Sequence, residues 1–231
     1  MKYSQASIVM AFLVLTVSSC RDFIGKKRIK EGIIKYEITY DSTTSKKMDT
    51  RLLPSSLLVK FKDNNTLNTI DAFSGAISIS IISNSNTNQF VTLVKVFNKK
   101  MYHEEPNTDG KYPALYSRIP SVKIISNNEK CKLLGYNCLK ARGYFEDQPN
   151  SEFEIIYTKD IDISSPNINT PFEKIDGVML GFNLRINSLM MQLKAQSVKK
   201  SKIPDETFSI PADYSLVDFQ TITDLIYLLQ Q

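Results

Sequence analysis

The feature that most constrains the fold of this chain is an alternation of apolar and polar residues that recurs along most of its length. Ile34, Tyr36, Ile38 and Tyr40 fall on one side of an extended chain, with Lys35, Glu37 and Thr39 on the other. Leu57, Val59 and Phe61 repeat the pattern. So do Ile77, Ile79 and Ile81, then Leu139, Ala141 and Phe145, then Phe153, Ile155 and Tyr157. Leu180, Phe182, Leu184 and Ile186 form a further row, as do Met191, Leu193 and Ala195. A period of two with one polar face is the signature of a half-buried antiparallel strand. Turn formers separate the rows: Asp63-Asn64-Asn65, Asn84 to Asn88, Asn107 to Gly110, Asn127-Asn128 and Gln148-Pro149-Asn150. Roughly eight to eleven strands in one domain have to curl, close or stack. The predicted fold is therefore mainly β (α+β), a strongly curved antiparallel sheet or unclosed barrel with a few covering helices.

Helix signals are few. Pro171 to Asp176 suits a single turn. Residues 215–231 are the best helical stretch, with Leu216, Phe219, Ile222, Ile226 and Leu229 at helical spacing and Ser215 and Asp218 placed as a capping box. Asp218 and Asp224 make this an amphipathic surface helix rather than a membrane span. No internal repeat and no long linker divides residues 31–214.

The N-terminus has a different character. Lys2 precedes the run from Ile8 to Val17, which is apolar except for Thr16 and too short to span a bilayer. It ends in Val17-Ser18-Ser19-Cys20. Small residues followed at once by cysteine resemble a bacterial lipobox, in which the thiol is lipidated and the chain is cut between Ser19 and Cys20. Residues 1–19 are thus expected to be a lipoprotein signal peptide. Residues 20–30 then form a lipidated, basic tether in which Lys26, Lys27, Arg28 and Lys30 face anionic head groups or are merely solvated. An acidic run after the cysteine, which would favour export to the cell surface, is absent, so the expected place is the periplasmic face of the outer membrane. The composition of the whole chain is globular, with 42% hydrophobic and 23% charged residues. A net charge of +5 without aromatic-basic or zinc-finger patterning gives no sign of nucleic-acid binding.

Several segments, in order, resemble an uncharacterised family of Bacteroidota envelope lipoproteins in the LolA/LolB-like superfamily. They are Glu31 to Tyr36, Leu53-Pro54 through Phe61-Lys62, and Leu134 to Ala141. They continue with Tyr157 to Ile161, Pro171 to Val178, and Phe208 to Tyr214. The resemblance implies a curved, unclosed antiparallel sheet with helices over its concave face. It also implies, by analogy, a hollow that holds a lipid or another hydrophobic ligand.

Nothing in the sequence points to catalysis. His103, beside Glu104 and Glu105, is the single histidine, and no nucleophile, phosphate-loop or metalloprotease motif occurs. Asp160 and Asp162 are a weak candidate pair for Ca²⁺ and a better one for a solvated strand end. Asp41-Ser42-Thr43 fits a glycosylation sequon or a turn. No metal and no cofactor is expected. Cys131 and Cys138 oppose each other if Leu134-Gly135 forms a hairpin turn, and secretion would let them form a disulfide; two free buried thiols are the alternative. Two functions remain open: a non-catalytic carrier of a lipid or hydrophobic ligand, or a structural or assembly lipoprotein with a self-filled core and protein partners. A solvent-open pocket lined by Leu, Ile, Phe and Met favours the first, and a collapsed core the second.

Overall fold

In a computed structural model of the chain, residues 28–42, 44, 49–108, 110–186 and 189–228 are described. Ser19, Cys20, Lys26 and Lys27 lie outside them. The strands are β1 (Glu31–Tyr40), β2 (Ser56–Lys62), β3 (Asn65–Ala72), β4 (Ile77–Asn84), β5 (Gln89–Val96) and β6 (Lys99–Pro106). They continue with β7 (Val122–Leu133), β8 (Tyr136–Phe145), β9 (Phe153–Thr158), β10 (Val178–Ile186), β11 (Leu189–Lys200) and β12 (Ser215–Leu216). One helix follows, α1 (Phe219–Leu228). All the strands join one sheet in the order β12-β6-β5-β4-β3-β2-β1-β11-β10-β9-β8-β7. The first and last members of that order do not pair, so the sheet is curved but unclosed.

Tight turns set the registers. Asp63 and Asn64 both have positive φ (46° and 69°) between the opposed Lys62 and Asn65, the backbone that a two-residue hairpin requires. Leu134 and Gly135 do the same between Leu133 and Tyr136 (φ 53° and 79°). At Gly32 a Cβ would meet the Lys199 carbonyl oxygen at 2.5 Å, so only glycine lets β1 approach β11 there.

One strand differs from the expectation of one solvated face. On β5, Val91 and Leu93 belong to one buried cluster and Val94 and Val96 to another. The first is covered by Ile203, Phe208, Ile210 and Tyr214 of the connection after β11. The second is covered by Val217 and by Phe219, Ile222 and Leu225 of α1. With both faces covered, β5 carries apolar residues on both, Phe90, Val94 and Val96 on one and Val91 and Leu93 on the other, and leaves no clear alternation to detect. The covering helices implied by the family resemblance are largely irregular segments, α1 being the α-helix whose side-chain packing is described.

The C-terminal reading also needs correction. Ser215 and Leu216 form a short parallel bridge with Met101 and Tyr102 of β6, so the helix does not begin at Ser215. Asp218 is itself the cap: its Oδ1 accepts hydrogen bonds from the Thr221 amide at 2.7 Å and the Thr221 hydroxyl at 3.0 Å. No helix among the described residues is long and apolar enough to cross a membrane.

Candidate functional site

The most distinctive concavity lies at the β7–β8 hairpin end of the sheet. It is a cleft of about 600 Å³ with Lys130, Lys132 and Lys159 at its rim. Its floor is Leu139 and Tyr157, bordered by Asn137, Asp160, Cys131 and Cys138. The hairpin register explains the grouping. Lys130 opposes Leu139, Lys132 opposes Asn137, and Leu139 opposes Tyr157 of β9, so these side chains share one face. Leu139 packs on the cluster of Ala141, Phe145, Phe153, Ile155 and Tyr157, which Phe172 and Ile175 roof over. The cleft lies at the Leu139 and Tyr157 margin of that cluster. A smaller cavity of about 290 Å³ lies within the roof, lined by Ser165, Asn167, Ile168, Glu173, Ile175 and Asp176.

The polar groups around the cleft are unequally engaged. Asp160 accepts from the Asn137 amide at 3.0 Å and from its side-chain nitrogen at 3.2 Å. The Thr158 hydroxyl donates to the Asn137 carbonyl at 2.7 Å. These bonds tie the hairpin base to the end of β9. Lys159 pairs with Asp176. Lys130 and Lys132 have no carboxylate within ion-pair distance among the described residues.

Cys131 opposes Cys138 directly, in the register that the hairpin reading requires, and both are free thiols in this structure. Cys138 is buried, and its Sγ lies 3.5 Å from the Tyr136 carbonyl oxygen. Burial, with Cys131 beside it, pushes the Cys138 thiol up to about 11. A neutral, buried thiol is a poor nucleophile.

The other candidates separate. Asp162 has different partners from Asp160, lying near Arg28 and Lys30 at 4.0 and 3.6 Å. Ile29 bridges in parallel to Ile161, with the Ile29 amide donating to the Asp160 carbonyl and the Asp162 amide to the Ile29 carbonyl. The segment before β1 thus enters the fold through an isolated bridge next to Asp160, which borders the cleft. Alternation could not reveal this, because the contact is a single isolated bridge between segments far apart in the chain. His103 Nδ1 lies 3.2 Å from the Val217 carbonyl oxygen and the ring lies against Phe219, a seat for the C-terminal segment. Asp41 accepts from the Thr44 amide at 2.8 Å, the bond of a helix N-cap, with Ser42 and Thr44 helical and Thr43 outside the described residues. Among the described residues no group of three or more His, Cys, Asp or Glu side chains could hold a metal.

No family model matches the chain, and no curated protein does. Among solved structures, one described as "Structure of PNGF-II in P21 space group" is similar over 86% of this chain, with a TM-score of 0.53 and 17% identity. The match spans 33% of that longer chain, so the likeness is one of fold.

Proposed function

We propose that this protein is a non-catalytic lipoprotein of a bacterial envelope, anchored through Cys20, whose folded domain is a structural or assembly module for protein partners. The observation that carries the module reading is that the chain covers its own sheet. Phe172 and Ile175 roof one cluster, Phe208 and Ile203 a second, and Ile222 of α1 a third. Phe182 is wedged between Tyr36 and Phe172, with ring centroids 6.1 and 5.8 Å away. A carrier of the kind the family resemblance implies needs an apolar hollow open to its ligand, and these rings occupy that space.

The chain from Arg21 onward contains every described residue and suits the test. Native mass spectrometry of that form is expected to give the bare polypeptide mass. Titration with an apolar fluorophore is expected to be flat. Co-purified lipid, or saturable probe binding competed by a fatty acid, would return the carrier reading.

A further inference from the structure

We infer that the lysine-rimmed cleft at the β7–β8 hairpin is a docking surface for an anionic phospholipid bilayer, the membrane to which the chain is anchored. The inference rests on the reading of Cys20 as a lipid anchor. Three observations converge on it. The first is position. The hydrogen bonds of Ile29 to residues 160 and 162 fix the point where the chain enters the fold, and Asp160 borders the cleft. The stretch from Cys20 to Arg28 reaches at most about 28 Å. Opposite the hairpin end, across a strand of ten residues or about 33 Å, lie the β5–β6 turn and Phe97. An anchored chain therefore holds the cleft end near the bilayer and the Phe97 end away from it.

The second observation is charge. Lys130 and Lys132 stand two residues apart on one face of β7, both exposed and both without a carboxylate partner among the described residues. Arg28 and Lys30, for which the sequence leaves head-group contact and plain solvation both open, lie near Asp162. Lys159 is paired with Asp176, so of the three lysines lining the cleft Lys130 and Lys132 are the two without a carboxylate partner among the described residues. The third is the tip itself. Leu134 is 40% exposed and sits in the left-handed region at φ 53°, a conformation that branched, bulky residues adopt at a cost. Asparagine or aspartate is the usual occupant of that turn position. A leucine there presents an apolar side chain flanked by lysines, the composition that inserts at a bilayer interface while ammonium groups remain at the phosphates.

The chain has no tryptophan, so single reporters are available. The unlipidated chain from Arg21 onward carrying Leu134→Trp is mixed with vesicles of phosphatidylcholine, with and without phosphatidylglycerol. A parallel sample carries Phe97→Trp, which replaces a side chain 68% exposed at the other end. Expected is a blue shift, and quenching by brominated lipid, for Leu134→Trp on the anionic vesicles alone, with no change for Phe97→Trp. Lys130→Gln with Lys132→Gln should weaken anionic-vesicle binding about thirtyfold, the loss expected of two lysines near a charged surface. Lys26→Gln with Lys27→Gln controls for the tether. Binding that survives the cleft substitutions but not the tether ones overturns the inference, as does a response from Phe97→Trp or equal binding to neutral vesicles. Acylation of Cys20 is measured separately, by incorporation of labelled fatty acid in cells, so a failed anchor and a failed docking surface are told apart.

Discussion

Arg185 is 6% exposed; its guanidinium lies 4.9 Å from the centre of the Phe145 ring and pairs with Asp147, while its buried Nε has no partner among the described residues. An ion so desolvated needs its counter-charge more than the fold needs the ion. Asp147→Ala is therefore expected to destabilise the domain by about 1–3 kcal/mol, because it strands the guanidinium. Arg185→Met keeps the contact with Phe145 and removes the unpaired Nε, so it should cost less. Urea unfolding of the two variants decides, and a costlier Arg185→Met would refute this account. Cys131 and Cys138 make a second prediction at this scale. If the chain is exported, as the proposed anchoring requires, their direct opposition suits an oxidised pair, and so short a loop would add roughly 2.5 kcal/mol. Protein taken from the periplasm, denatured without reductant, should show neither thiol; two reactive thiols would sink the disulfide. In the reduced protein Cys138 ionises near 11 rather than at the ordinary thiol value of 9.0. Its native alkylation should thus be slow at pH 8 and quicken toward pH 11. The unfolded chain ionises first, so whatever stability this thiol contributes is present below pH 9 and is lost between 9 and 11.

At the scale of elements, the segments that cover the sheet are its main dependency. Phe208 is 4% exposed and sits in a single turn of 3-10 helix, Asp205–Phe208, with little local structure of its own. Phe208→Ala should cost about 3–5 kcal/mol, through lost burial and the cavity left against Ile82, Val91 and Leu93. The helix α1 depends on its cap. Asp218→Ala removes the acceptor for the Thr221 amide and is expected to cost about 1 kcal/mol. Limited proteolysis should then cut first after Leu216, with the sheet intact. A uniform loss of protection across the chain would mean that α1 and the sheet unfold together. The bulge between Ser126 and Glu129 and the lysines at 123, 130 and 132 interrupt β7, the edge strand of the sheet. Such features discourage edge-to-edge pairing with another chain, which leaves the face of the hairpin, rather than its edge, for contact.

At the scale of the whole molecule, the anchored reading predicts that Cys20→Ser abolishes fractionation with detergent-phase membrane material. A variant that is cleaved yet stays membrane-bound would show that something else holds it. The curved sheet was legible in the sequence wherever one strand face is wet: β1, β8, β9 and β11 each show the alternation that Ile34 to Tyr40 displays. The Cys131–Cys138 register was legible too, because a two-residue turn at Leu134-Gly135 leaves one pairing. What alternation could not reveal is β5, buried on both faces, or β3 and β6, whose rows mix Asn, Thr, Lys and Glu with the apolar residues. Nor could it reveal that Arg185, on the polar side of its row, is buried. Local periodicity records only whether a side chain meets water or protein, so it determined the strands, the turns and the class of fold. Which segment covers which face is settled by contacts between residues far apart in the chain. Tertiary structure alone therefore placed Phe208 over Ile82, started α1 at Phe219, and brought the tether at Ile29 beside Ile161 and the lysines of the cleft.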